Sequence, residues 1–450
     1  MSTPRLVQLL KFGAPVLILV WSIAYLFSNR APVYNGVVRH FKNEKDLFIS
    51  DFLEHEIDGR LDGSGIAKLC ESKKWTPGLV LSCDPQAGGF GQVKNAHLNC
   101  IRFAIEMGAE LVLPRVIKRD VKNIAMVRPS NGNAPYIGES LDYFFDREHL
   151  NQTLAEHCPQ LKLYHSMDDL WNVPEVADPR KISLQEIGVS LTNGSVVEDM
   201  GSLPKEIQAY IDEMEPAEER QNPIRFKANV INWAFPTSYD SPELARNFGR
   251  ILRVRKDARL LSTLALYHMQ QRFGMDLDPK KGIKHSKFVG AHLRTEADAR
   301  QMFLPFEVQT QNLLDFITNT TTNLAFIATG DTPDRLKTFS RRARDVNVTA
   351  VFKEDLLEDE PEGLELLDQL SWDQKALVDY EIMLRSGLMV GVGESSFSWN
   401  IALRRSALPG ASEDPTMLTN TDIQYQDRYS TILGSSRSEK ASVLQATIWP

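Results

Sequence analysis

Short apolar runs and amphipathic stretches take turns along this chain. The runs at 79–83, 111–113, 288–293, 324–329, 348–352 and 388–392 have the length of buried strands. Between them the spacing turns helical. Val93, Ala96, Cys100 and Ala104 recur at three- and four-residue intervals until Gly108 stops the helix. Leu244, Phe248, Ile251, Leu252, Leu260, Leu264 and Tyr267 form an apolar stripe over one or two helices, opposite Arg250, Arg253, Arg255 and Lys256, which read as a solvated basic face. Residues 307–318 and 372–386 predict further helices, the latter ended by Gly387, and Asp331 or Thr332 caps another with Pro333 in its first turn. Strand, helix, strand in this order predicts parallel, doubly wound sheets in two blocks, 76–274 and 275–450. Prolines interrupt the pattern over 172–242, a stretch suited to variable acceptor-side loops.

The N-terminal pattern differs. Phe12–Phe27 carries no charge and reaches roughly 24 Å as a helix, enough for a thin bilayer with Lys11 snorkelling. It reads as a signal anchor over 12–28, with a cytosolic tail at 1–11 and a stem at 29–75. A single-pass type II protein of the endoplasmic reticulum or Golgi membrane with a lumenal body is the expectation. Sequons at Asn151, Asn193, Asn319 and Asn347 agree with a lumenal body. The four cysteines, all in the first half, predict one or two disulfides with the pairing open. A net charge of -8 argues against a nucleic-acid partner.

Candidate chemistry concentrates where strands end. The run at 287–298, KFVGAHLRTEAD, delivers His292, Arg294, Glu296 and Asp298 to the carboxyl edge of a sheet, where ligands bind in open α/β folds. An internal ion pair of Arg294 with Glu296 or Asp298 is the competing reading. After the first strand, GGFGQ opens a helix and lets backbone N–H groups approach a ligand, although it lacks a full dinucleotide fingerprint. After the last strand, GVGESSFSWNIALRR puts Ser395 and Ser396 at a helix N-terminus, a second anion site or a simple cap.

HLRTEAD and GESSFSWNIALRR, with GGFGQ and AFIATGD in the same order, resemble the motifs of the GDP-fucose protein O-fucosyltransferase superfamily over roughly 79–405. The resemblance implies a GT-B fold, two Rossmann-like doubly wound domains facing a cleft, here behind an N-terminal transmembrane helix. It implies a metal-independent inverting transfer of fucose from GDP-fucose to a protein or glycan hydroxyl, with GDP-fucose as donor substrate and no cofactor. By the same implication Arg294 grips the β-phosphate, His292 contacts the nucleotide-sugar, Ser395, Ser396 and Phe397 line the pyrophosphate site, and Gly89, Phe90 and Gly91 close over the sugar. Asp331 and Asp379 are candidates for holding guanine, and Glu296, Asp298 and Asp84 for the acceptor-activating base on reach alone. Gln92 stands where some members carry asparagine. The alternatives are a catalytically silent GT-B protein that binds glycans or partners, a transferase using another nucleotide sugar and, more distantly, a nicotinamide enzyme.

Overall fold

The computed structural model describes residues 43–85, 88–119, 138–193, 195–214, 224–228, 233–283, 287–412, 423–434 and 439–450. The expected anchor at 12–28 lies outside them, and among the described residues no helix is long and apolar enough to cross a membrane. The described residues divide into two units, 43–54 and those from 55 onward. In the first, Glu44–Glu54 is a helix.

In the second unit the strands are β1 (Leu79–Cys83), β2 (Glu110–Val112), β3 (Leu163–Tyr164), β4 (Arg180–Ile182), β5 (Leu191–Thr192), β6 (Val196–Val197) and β7 (Ile224–Ala228), then β8 (Val289–His292), β9 (Leu324–Ala328), β10 (Thr349–Val351), β11 (Leu388–Val392), β12 (Ile423–Gln426) and β13 (Ser430–Leu433). They build one sheet in the order β3-β2-β1-β7-β4, a second in the order β10-β9-β8-β11-β13-β12, and the small pair β5-β6. The first sheet is parallel throughout, and in the second only β12 runs antiparallel. Uniform apolarity explains this: β1, β8 and β9 are buried along their whole length, as central parallel strands covered on both faces must be.

The order in each sheet reverses beside its first strand. In the second sheet the reversal lies between β8 and β11, so the loops after these strands diverge and leave a crevice at their carboxyl ends. His292 ends β8, and the serine turn follows β11. In the first sheet the crevice opens beside β1, whose following loop holds Gly88 to Gly91.

Two expectations are corrected by packing, and the open disulfide pairing is resolved. Helix Ser64–Glu71 buries Ile66 and Cys70 within the body instead of lying in a stem, and Cys70 is bonded to Cys158. Cys83–Cys100 completes the pairing. Of the expected basic face only Arg250 turns inward, donating to the carbonyls of Gly59 and Arg60; Arg253 and Arg255 are half-buried in pairs with Asp146 and Asp257, and Lys256 is exposed.

Candidate active site

A cavity of about 640 Å³ opens between the two sheets' carboxyl ends, and every site residue nominated from the sequence except Asp84 lines it. Helix Phe90–Met107 begins at Gly89 and helix Ser396–Ser406 at Ser395. Their N-termini meet: a Cβ on Gly91 would fall 2.6 Å from the Ser396 carbonyl oxygen and the Phe397 nitrogen. Two helix N-termini, each the positive end of a helix dipole, therefore come together in the cavity wall. Ser395 does cap its helix, its Oγ accepting from Ser398 N–H at 3.4 Å.

An aromatic chain joins the halves. Phe90 packs on Tyr380 at 4.9 Å, Tyr380 on Phe397 at 5.8 Å, and Phe397 on His292 at 4.7 Å. His292 Nδ1 lies 2.8 Å from Ser398 Oγ, which also accepts the Val392 N–H. The Ser398 hydroxyl, with one proton and two lone pairs, can donate to Nδ1, a pairing that puts the imidazole proton on Nε2. Burial, aided by the Arg294 charge, pushes His292 down to about 3, so the ring is a neutral donor at physiological pH.

Arg294 makes the internal ion pairs of the competing reading and also lines the cavity. Its Nη1 donates to Glu296 at 2.5 Å and its Nη2 to Asp298 at 2.6 Å, yet it lines the cavity and retains N–H groups beyond those two bonds. Burial opposes its charge, but Glu296 and Asp298 overcome this and raise its pKa. Buried Gln309 fixes the backbone here, accepting from Arg294 N–H and donating to its carbonyl.

The carboxylates are distributed among distinct tasks. Glu296 accepts from Arg294 and from Gly330 N–H at 2.7 Å, and so ties β8's loop to β9's. Asp331 accepts from Thr295, Arg335 and Thr332 N–H, which leaves little for a ligand. Asp379 is different: Lys353 donates to its Oδ2 at 3.0 Å, while its buried Oδ1 has no partner, and burial pushes its pKa up to about 7 against the Lys353 charge. Asp84, considered on reach, pairs with Lys227 at 2.6 Å and does not line the cavity.

Sequence reasoning missed a cross-domain contact. Arg119, beyond β2, donates to Asp298 Oδ2 at 2.5 Å and to Gly88 O at 3.3 Å, and its backbone N–H reaches Asp373 Oδ2 at 3.2 Å. Although burial alone raises Asp298, its bonds to Arg294 and Arg119 hold it below the usual carboxylate range. Helix Glu439–Thr447 was also missed, and Lys440, Val443 and Leu444 from it form part of the wall. Acidic first-turn residues such as Asp373 were visible, but nothing local marked them as facing a cleft.

The family model described as GDP-fucose protein O-fucosyltransferase matches residues 79–408. No curated protein matches the chain. Among solved structures, POFUT1 in complex with GDP is similar at 15% identity and a TM-score of 0.42, covering 80% of this chain and 100% of that one. A mutant of Arabidopsis thaliana FUT1 in complex with GDP has 11% identity and a TM-score of 0.39, covering 76% and 72%. The fucosyltransferase NodZ from Bradyrhizobium has 15% identity and a TM-score of 0.38, covering 75% and 94%.

Proposed function

The chain belongs to the GDP-fucose protein O-fucosyltransferase family and is a glycosyltransferase, and from its cleft we propose that it transfers fucose from GDP-fucose to a protein or glycan hydroxyl, inverting the anomeric carbon without a metal. The observation that carries this is the meeting of two helix N-termini beside Arg294. A diphosphate leaving group gathers charge as its bond to the sugar breaks, and preorganised N–H groups with a fixed guanidinium stabilise that charge without reorganising. Arg294 is held rigid by Glu296 and Asp298 and lines the cavity, and the N–H groups it has beyond those two bonds are available to a phosphate.

The rest of the donor fits around that anchor. Asp379 Oδ1, buried and without a partner, is suited to the N1–H and N2–H of guanine. His292 offers Nε2–H as a neutral donor, and Phe90 with Gly91 covers the sugar from the other domain. Tethering through 12–28 with a lumenal body belongs to the same reading, which the two disulfides support because such bonds persist in oxidising compartments.

Calorimetry on the full chain tests this. GDP is expected to bind at least tenfold more tightly than UDP or NAD, equally with chelator and with added divalent metal. GDP-fucose is expected to be turned over. A preference for UDP, or binding abolished by chelator, overturns the donor assignment; tight GDP binding with no turnover favours the catalytically silent reading.

A further inference from the structure

We propose that Asp373 is the base that takes the proton of the acceptor hydroxyl, an assignment that rests on the donor reading above. The carboxylates that face the cavity differ in how far they are already committed. Glu296 and Asp298 neutralise Arg294, Asp331 is filled by three donors, and Asp379 is held by Lys353. Glu354 is half exposed beside Lys353, and Glu394 adjoins Ser395 on the side of the leaving phosphate. A base for direct displacement has to approach the sugar away from that phosphate.

Asp373 stands where the others do not. It lies on the same helix as Asp379, Trp372–Leu384, about 9 Å nearer the N-terminus at 1.5 Å per residue. There it meets Arg119, which also holds the carbonyl of Gly88 in the loop that covers the sugar. Its Oδ2 accepts one backbone N–H at 3.2 Å, and its Oδ1 is 3.5 Å from Arg119 Nε, too long for a strong bond. Buried but weakly bonded, the carboxylate keeps lone pairs for a proton.

Its surroundings agree. Burial pushes Asp373 up to about 6, Arg119 and Arg294 pull it down, and Asp298 pushes it up. Tyr143, which feels the Asp373 charge, is itself held protonated by burial, with its pKa pushed up to about 12. A carboxyl in this range is ionised at neutral pH and basic enough to accept a proton in a transition state.

The step balances without redox change. The acceptor O–H proton passes to Asp373 as the oxygen forms its bond to the anomeric carbon. The bond from that carbon to the β-phosphate oxygen breaks, and its electron pair leaves with GDP toward Arg294 and the helix ends. Asp373 then releases the proton to solvent.

Water as acceptor makes the test independent of the natural acceptor. In the full chain, Asp373→Asn keeps the side-chain size and the bond from Arg119 N–H but cannot take a proton. GDP release from GDP-fucose is expected to fall about 100-fold or more, with GDP affinity within threefold of wild type. The wild-type rate should show an acid limb near pH 6 that the variant lacks, and Asp373→Glu should recover part of the rate. An Asn variant that hydrolyses at the wild-type rate, retains the acid limb or loses GDP affinity in proportion overturns the assignment, as does a wild type that binds GDP but releases none from GDP-fucose. A wild type that does not bind GDP overturns the donor reading itself, and the base falls with it.

Discussion

Gly91 and Ser396 touch backbone to backbone across the cleft, so closely that a Cβ on Gly91 would stand 2.6 Å from the Ser396 carbonyl carbon and oxygen. In a helix, Gly→Ala ordinarily stabilises by about 0.5–1 kcal/mol. Gly91→Ala is therefore diagnostic. The backbone it would strike cannot swing aside, and overpacking of this kind costs about 1–3 kcal/mol. Moving the two helix ends apart relieves the overlap, so GDP affinity is expected to fall tenfold or more while the protein stays folded. Calorimetry with circular dichroism checks both halves; unchanged affinity would show that the two helix ends do not share a ligand.

Arg294→Lys separates charge from shape. Lysine preserves the positive charge but lacks the planar fork that spans Glu296 and Asp298 and still presents N–H groups to a phosphate. Turnover of GDP-fucose is expected to fall by roughly 100- to 1000-fold. Because the Arg294 side chain is only 15% exposed and partners two carboxylates, stability should also drop, by about 1–3 kcal/mol from the partner left unsatisfied. Denaturant midpoints and GDP titrations report the two effects separately. A variant that loses stability but keeps full GDP affinity would reduce Arg294 to an internal brace.

His292 gives the fold a pH dependence of known sign. Its folded pKa, about 3, lies below the ordinary histidine value of 6.5, so between these limits the unfolded chain binds the extra proton. Stability from this residue is complete above pH 6.5 and is lost as pH falls toward 3. Between pH 7 and pH 5 the loss is about 2 kcal/mol at 1.36 kcal/mol per unit. Asp373 and Asp379, raised by burial, act in the opposite direction. The measurement is therefore a difference: His292→Gln should show a flatter decline than wild type in chemical denaturation at pH 7 and pH 5. Parallel declines would mean that the imidazole is protonated in the folded state.

The sequons are not equivalent. Asn193 and Asn347 are exposed in left-handed backbone, with φ of 50° and 60°. Asn151 lies half-buried in helix Arg147–His157, its amide 3.3 Å from His165 Nε2. If the body is lumenal as proposed, glycopeptide mass spectrometry on protein from a secretory host should find glycan at Asn193 and Asn347 and none at Asn151. Glycan on Asn151 would mean that this helix is open when the chain is modified.

What could be read from sequence follows from how local each signal is. β8 and β11 are central parallel strands with apolar residues on both faces, so their ends, and with them His292, Arg294 and Ser395, could be located from the pattern alone. Arg119 and Asp373 are 254 residues apart, and nothing near either one announces the other. Cys70 and Cys158, 88 residues apart, pair for the same hidden reason. The inward turn of Arg250 was misread because a run of arginines looks solvated until the segment carrying the Gly59 and Arg60 carbonyls folds over it. Helix Glu439–Thr447 lacks a strong apolar stripe, so its place in the cleft wall comes from packing alone.

The bond between Cys83 and Cys100 closes a covalent ring whose ends are 17 residues apart, and within that ring lie Gly88, Gly89 and Gly91. The glycine turn of the first sheet that borders the cavity is thus tethered at both ends, to the tip of β1 and to the middle of its own helix. Its freedom depends on oxidation state. A thiol reductant added as a routine preservative would cut this tether while leaving the cysteine-free second half, with Arg294 and Asp379, chemically untouched. Preparations that differ only in their reducing agent would then differ in apparent donor affinity, and buffer redox potential becomes a variable to control before affinities are compared.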